Sequence, residues 1–398
     1  MNAKEKIFTK DFCLILASTF FSAMVMYMLM TTITEYAASF GVAASLAGLV
    51  SGIYVIGGLM SRLYSGGGQA KYGWKRIALV FLSLHFVACC CYFLTHSIGS
   101  LLAIRFLHGL GFGAGSNAVL TVGTYTLPKS RYGEAMGYLM LPATLAIAVG
   151  PFAGGLIYDA FGSTGCFAAA AVCAFFALLF AFLIKVPNDV SIAPPSAGGH
   201  GRGLSRVLEV QSVPLTFCIT LLALGYVAVM SFYRLYSAET GLEREFSYFF
   251  LIYAAVLLAA RPLMGMVQDR FGDNLACCPG LILQGIGLIL LGAYPSMPTI
   301  AFCAFGCAMG YGALSAGLNA IISGHALPER RTYAVSTFYA LCDTGVGVGP
   351  FLLGVVQSVS GSYHMIYFVS GALALLTLPW YYFVWGKKGD TASPRRRG

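Results

Sequence analysis

Apolar runs of about twenty residues recur along the whole chain, each closed by a short cluster of glycine, proline or charged residues. A helix rising 1.5 Å per residue needs about 20 such residues to cross a hydrocarbon layer about 30 Å thick. The runs predict twelve spans, near residues 12–34, 43–63, 76–95, 98–124, 134–158 and 164–185, then 213–236, 246–268, 275–293, 298–324, 333–357 and 363–385. The expected fold is an all-α integral membrane protein in two six-helix halves. Residues 1–185 form the first half, 186–212 a cytoplasmic linker rich in proline, glycine and serine, and 213–398 the second half with a basic cytoplasmic tail.

Composition sharpens this picture. With 58% hydrophobic and only 10% charged residues, the chain is outside the range of soluble domains. Its 48 glycines suit a bundle whose helix backbones approach closely. The 12 cysteines sit mostly inside apolar runs and read as small buried hydrophobes. Cys303 and Cys307 share a helix face, but no histidine or carboxylate lies nearby in sequence, so no metal-ligand cluster is expected. The amino-terminal MNAKEKIFTKDF is polar and basic, and the apolar run after it is too long for a signal-peptide core, which makes it an uncleaved first span.

The +9 net charge is distributed by side. One set of alternate connections holds Lys4, Lys6, Lys10, Arg62, Lys71, Lys75, Arg76, Lys129, Arg131, Lys185, Arg202, Arg206, Arg261, Arg270, Arg330, Arg331, Lys387, Lys388 and Arg395 to Arg397. The other holds only Arg234 and Arg244, beside Glu239, Glu243 and Glu245. Lysine and arginine accumulate on the cytoplasmic side, so both termini are expected inside a plasma membrane. The partner of this charge is the anionic lipid surface and not nucleic acid.

The stretch SRLYSGGGQAKYGWKR, Ser61 to Arg76, resembles a phosphate-cradling loop at first sight, but it lacks the G-x4-G-K-[ST] spacing and the preceding strand. A shift of 199 residues instead carries Arg62 onto Arg261, Gly66 onto Gly265, Lys71 onto Arg270 and Gly73 onto Gly272. The same shift carries Gly150-Pro151-Phe152 onto Gly349-Pro350-Phe351 and Tyr54 onto Tyr253. Two repeated six-span halves are the architecture of secondary transporters.

These features resemble the major facilitator superfamily over nearly the whole chain. Its loop motif G-x-x-x-D-[RK]-x-G-[RK]-[RK] is matched by Gly265, Asp269, Arg270 and Gly272, and by Gly66, Lys71, Gly73 and the pair Lys75-Arg76, with Ala70 where the aspartate belongs. The resemblance implies a gating latch there, with the glycines forming a tight reversal between spans. LLAIRFLHGLGFGAG resembles the fourth-span motif, with Arg105 as its arginine, His108 in place of the usual glutamine, and Gly109, Gly111, Gly113 and Gly115 forming one small-residue face. GYLMLPATLAIAVGPFAGG resembles the antiporter motif of span five through Gly137, Gly150, Pro151, Gly154 and Gly155, with Ala146 replacing one glycine. That motif implies proton-coupled efflux. KIFTKDF, RFLHGLGFG and SRYGEAMGY look most like a bacterial branch of efflux-type facilitators that includes the staphylopine exporter, without fixing a substrate.

A proton-coupled exporter needs a group that changes charge in the conduction path. Asp343, about ten residues into span eleven, is the candidate coupling acid, and its repeat mate is Thr144. Arg105 is the candidate cargo or coupling cation, against the alternative that it only ties spans together. His108, Asn117 and Glu35 complete the set, with Glu35 at the outer end of span one; His85, Asp159 and Asn319 are weaker. The expected activity is secondary transport of a small organic molecule by alternating access, driven by the proton gradient with no cofactor, as a monomer. An importer is the alternative, a non-transporting membrane sensor a further one. No nucleophile or nucleotide motif points to an enzyme.

Overall fold

A computed structural model describes residues 6–128, 131–186, 209–327 and 330–387. Among these the chain is helical, with no strand. The first half contains α1 (Lys10–Ala38), α2 (Ala44–Tyr72), α3 (Trp74–Cys91), α4 (Ile98–Tyr125) and α5 (Tyr132–Leu183). The second contains α6 (Val213–Thr240), α7 (Glu243–Phe271), α8 (Asp273–Ala293), α9 (Met297–Cys307), α10 (Leu314–His325), α11 (Arg331–Ser360) and α12 (His364–Tyr381). A π-helical turn, Ala308–Ala313, joins α9 to α10 into one crossing, and a second, Tyr382–Gly386, extends α12.

Eleven described segments are long and apolar enough to cross a membrane, and one of them, Ala135–Leu183, has 49 residues. At 1.5 Å per residue it is more than twice as long as a bilayer core is thick, so it must turn back. It does so at Gly162, whose φ of 65° and ψ of −164° break α5 into two arms. The Cys166 thiol of the second arm donates to the Gly154 carbonyl of the first at 3.4 Å. Both arms also pack on α1, through Gly154 against Met28 and through Ser18 Oγ donating to the Ala177 carbonyl at 2.8 Å. The twelve expected crossings are thus accounted for.

The repeat is written into the backbone. Positive φ occurs, among the described residues, only at Gly41 and Gly241, Gly73 and Gly272, Gly162 and Gly361, three pairs separated by 199 or 200 residues. Capping follows the same rule, since Ser97 with Ser100 and Ser296 with Thr299 build capping boxes on α4 and α9. A tyrosine near the end of the first helix of each half reaches the end of the third: Tyr36 donates to the Thr95 carbonyl at 3.3 Å, and Tyr236 to that of Leu291 at 2.8 Å.

The loop expectation needs correcting. The glycine triplet is not the reversal, because α2 stays helical to Tyr72 and the chain turns at Gly73 alone, with φ 81° and ψ 149°. Gly265 likewise lies inside α7, and Gly272, at φ 92°, makes the turn. Glycine can continue a helical ladder like any residue, whereas the reversal needs a backbone conformation that L side chains avoid. The side-chain surroundings of Gly66 and Ala70 fall outside the described residues.

The helices gather into two compact units, one of Met1–Val42 with Ile53–Ser196, the other of Ala43–Gly52 with Ala197–Gly398. The first is centred on Phe12, Ile15, Trp74, Leu82, Val122 and Leu139, and the second on Ile219, Leu222, Leu281, Leu314, Phe338 and Tyr381. The second unit is tied at its start, where Glu209 pairs with Arg330 at 2.6 Å and its amide donates to Thr337 Oγ1 at 2.9 Å.

Candidate functional site

Four glycines of α4 determine what can gather around Arg105. Residues two apart on a helix lie about 200° apart, so the G-x-G-x-G-x-G run makes two small-residue faces and not the single face expected. Gly109 and Gly113 take the backbone of α2 at Tyr54 and Gly58, while Gly111 and Gly115 take α3 at His85 and Leu82. A Cβ at Gly111 would stand 2.5 Å from the His85 amide nitrogen. Helices α2 and α3 therefore close on α4 from two sides, and the side chains between the glycines meet in a dry interior.

Arg105 is fully buried there, at 0% exposure. Its guanidinium carbon lies 4.4 Å from the centre of the Tyr54 ring, and Nη1 donates to the Tyr92 hydroxyl at 3.4 Å. Stacking and hydrogen bonding are both favourable for a desolvated cation, which otherwise costs several kcal/mol in an apolar interior. His108 lies one turn further along α4, also at 0% exposure, with Nδ1 2.8 Å from Tyr92 Oη and Nε2 3.3 Å from Cys89 Sγ. Below it the His85 ring stacks on that of His108, centroids 4.5 Å apart. Neither nitrogen of His85 has a hydrogen-bond partner, nor does the Tyr54 hydroxyl.

Sequence spacing hid this cluster. His85 and Cys89 are one turn apart on α3, but the third ligand-type group, His108, arrives from α4, and the three donor atoms lie within 4.8 Å of one another. The structure thus sets a buried His–Cys–His group against the expectation that no metal-ligand cluster would form. A search confined to one apolar run could not find it.

At the matching place in the second unit, 199 residues on, Gln284 replaces His85. It is fully bonded: Nε2 donates to the Leu222 carbonyl at 2.8 Å, and Oε1 accepts from the Tyr311 amide at 2.7 Å. That amide belongs to the π-helical turn, where the ladder opens around an inserted side chain. Tyr311 also stacks on Tyr226 at 4.5 Å and its hydroxyl lies 3.3 Å from Cys342 Sγ. Asp343, the next residue, is half-buried on α11 and engaged in a contact.

The other expected residues are dispersed. Asn117 donates to Ser65 Oγ at 3.1 Å and so ties α4 to α2. Glu35 is half-buried near the end of α1 and has partners of its own. Gly150 and Gly154 of the span-five motif seat the first arm of α5 on Tyr27 and Met28 of α1, and Pro151 and Gly155 are buried beside them. Gly349 packs on Leu224 and Val227 of α6, next to buried Pro350. Lys71 and Arg270 are exposed, each beside its neighbouring ring, Tyr72 or Phe271; Asp269 is exposed and has a partner. Asp273, which stands where the motif has a basic residue, also joins elements in the second loop. Its carboxylate accepts from Gln268 Nε2 and from Trp385 Nε1, both at 2.9 Å.

Comparison with known proteins agrees with this architecture. The family description Major Facilitator Superfamily matches residues 15–273 and 215–398. Multidrug resistance protein MdtG of Dickeya zeae (strain Ech586) is 25% identical over 294 residues, 71% of this chain and 70% of that protein. MdtG of Klebsiella pneumoniae (strain 342) is 24% identical over 292 residues, 71% of this chain and 69% of its own. Among solved structures, a POT family transporter in complex with a thioalcohol-conjugated peptide superposes with a TM-score of 0.78 at 14% identity, covering 95% of this chain and 96% of that one. The nucleoside transporter NupG gives 0.75 at 10% identity, covering 94% and 99%. With its repeated helices, buried polar clusters and this family match over most of its length, the chain belongs to the Major Facilitator Superfamily and is a multi-pass membrane secondary transporter.

Proposed function

We propose that this transporter exports a small organic molecule in exchange for protons. The observation that carries the direction is the span-five motif: Gly150 and Gly154 seat α5 on Tyr27 and Met28 of α1, the close approach that the antiporter-type pattern requires. The named relatives, multidrug resistance proteins, support a drug or a drug-like metabolite as cargo. Likeness to the branch that includes the staphylopine exporter rests on KIFTKDF, RFLHGLGFG and SRYGEAMGY and leaves the cargo open.

Asp343 is the coupling acid in this reading. It lies about 18 Å from the start of a helix about 45 Å long, and so near the middle of the span. A carboxyl at that depth is held neutral at modest cost and charged at a large one. Arg105 acts as the fixed cation of the other unit. The proton gradient is the driving force, no cofactor enters the transport step, the monomer is the working unit in a plasma membrane, and both termini face the cytoplasm.

Everted membrane vesicles from an overexpressing strain test the reading. An imposed inward-acid gradient drives accumulation of a fluorescent drug cation, and Asp343→Asn removes the response to the gradient while downhill exchange persists. Undiminished gradient-driven uptake by Asp343→Asn overturns the coupling role. Accumulation only in right-side-out vesicles makes the protein an importer.

A further inference from the structure

We propose that His85, Cys89 and His108 form a copper(I) site inside the first six-helix unit, separate from the transport cargo. The three donor atoms lie within 4.8 Å of one another and all three residues are fully buried. Sulfur and nitrogen ligands about 2.3 and 2.0 Å from one metal lie about 3.7 Å apart at the 120° angle of a three-coordinate site; Cys89 Sγ to His108 Nε2 is 3.3 Å, and binding draws donors now up to 4.8 Å apart to about that spacing.

A hydrogen-bonded structural cluster accounts for His108 and Cys89 but not for His85. Its ring is enclosed and stacked on that of His108, one of its nitrogens lies within 4.8 Å of both other donors, and it uses neither nitrogen. An unbonded imidazole in a dry interior is costly, and the same position in the second unit shows how the fold avoids that cost: Gln284 bonds at both ends. A metal ion supplies the missing partner. The tautomer of His108 that suits a ligand is the one with its proton on Nδ1, donated to Tyr92 Oη, which leaves the Nε2 lone pair directed at the site.

Charge and donor type select the metal. One thiol and two imidazoles form a soft three-donor set, and among the described residues no carboxylate joins it to complete a tetrahedral shell. On binding, the Cys89 S–H bond breaks, its proton leaves to solvent, and a copper–sulfur bond forms; the site gains one positive charge and loses one. Copper keeps its +1 state throughout, so no electron is transferred. The product is neutral, which suits an interior already holding the Arg105 guanidinium against Tyr92. Zinc(II) with the same single thiolate leaves a net positive centre beside that cation.

The test uses the full chain expressed in copper-supplemented medium, purified in detergent and passed through a copper(I) chelator. Metal analysis is expected to find one copper per chain, lowered at least tenfold in Cys89→Ser and in His85→Leu, both with unchanged gel-filtration profiles. Cys303→Ser/Cys307→Ser, which removes a close thiol pair of the second unit, keeps the copper. X-ray absorption at the copper edge reads a three-coordinate copper(I) with one sulfur and two nitrogens. Copper-free wild-type protein, or equal copper in wild type and Cys89→Ser, overturns the site; zinc retained in place of copper overturns the choice of metal.

Discussion

His85 and Gln284 occupy the same position of two repeated units and solve the same problem in opposite ways. Each lies on the third helix of its half, fully buried; Gly111 lets the backbone at His85 close on the next helix, while Gly310 makes room for the Gln284 side chain. Gln284 has become a structural tie, with its carbonyl inserted into the next helix at the cost of a π-helical turn. His85 ties nothing, and around it the first unit has gathered a cation, a thiol and a second imidazole. The backbone frame duplicated faithfully while buried polar positions diverged. One copy is thereby specialised for holding helices, and the other keeps chemistry in reserve.

The largest expected effect concerns the cation present in one unit only. Arg105→Ala removes a charge-assisted bond to Tyr92 and the stack on Tyr54, and leaves those groups without the cation they surround. A hydrogen bond to a charged group contributes about 1.5–3 kcal/mol, which expressed in transport is about tenfold or more in flux. Ala304 holds the matching place in the second unit, and Ala304→Ser is expected to leave flux within about twofold. Uptake rates in vesicles at matched protein levels decide, and equal losses at the two positions break the comparison.

A second contrast is in stability. Gln284→Leu orphans the Tyr311 amide and removes the side-chain donor to the Leu222 carbonyl, and is expected to cost about 1–3 kcal/mol. His85→Leu loses no protein hydrogen bond and, in copper-free protein, costs within about 1 kcal/mol. Thermal unfolding in detergent ranks them. If His85→Leu unfolds first, then His85 is bonded in a way that this structure does not contain.

Much of the architecture was legible in the chain because a membrane span needs a long apolar run, and a run survives divergence. The repeat was legible for a related reason: the reversal at Gly73 and Gly272 tolerates few other residues. Span edges were shorter than the helices by up to nine residues at α2, since polar residues such as Gln69 and Lys71 continue a helix past the apolar stretch. Arg105 and His108 stood out as polar residues in apolar surroundings. Cys89 and Tyr92 did not, because a cysteine or tyrosine in such a run is ordinary and only the α3–α4 packing gives it a role. Comparing the halves position by position raises this visibility. The shift that pairs Gly73 with Gly272 also pairs Gln69 with Gln268 and His85 with Gln284, so a kept residue type and a changed one appear side by side.

The smallest expected difference is at the ends of the bundles, where both units fasten their last helix through the residue after the turn pair. In the second unit Asn274 Nδ2 donates to the Gly386 carbonyl at 2.9 Å, and Asp273 beside it holds Gln268 and Trp385. In the first, Lys75 Nζ donates to the Ile184 carbonyl at 2.7 Å, and Trp74, wholly buried, fills the place of Asp273. The first fastening is thus mainly apolar and the second mainly polar. Removing Lys75 leaves the tryptophan in place and frees one carbonyl at the helix end; removing Asp273 releases two donors from different elements. Asp273→Ala is therefore expected to speed amide exchange across Tyr382–Gly386 about fivefold, equivalent to about 1 kcal/mol. Lys75→Met is expected to change exchange across 180–186 by less than about twofold. Hydrogen exchange followed by mass spectrometry measures both. A larger response at Lys75 than at Asp273 reverses the assignment and makes the lysine, and not the tryptophan, the fastening of the first unit.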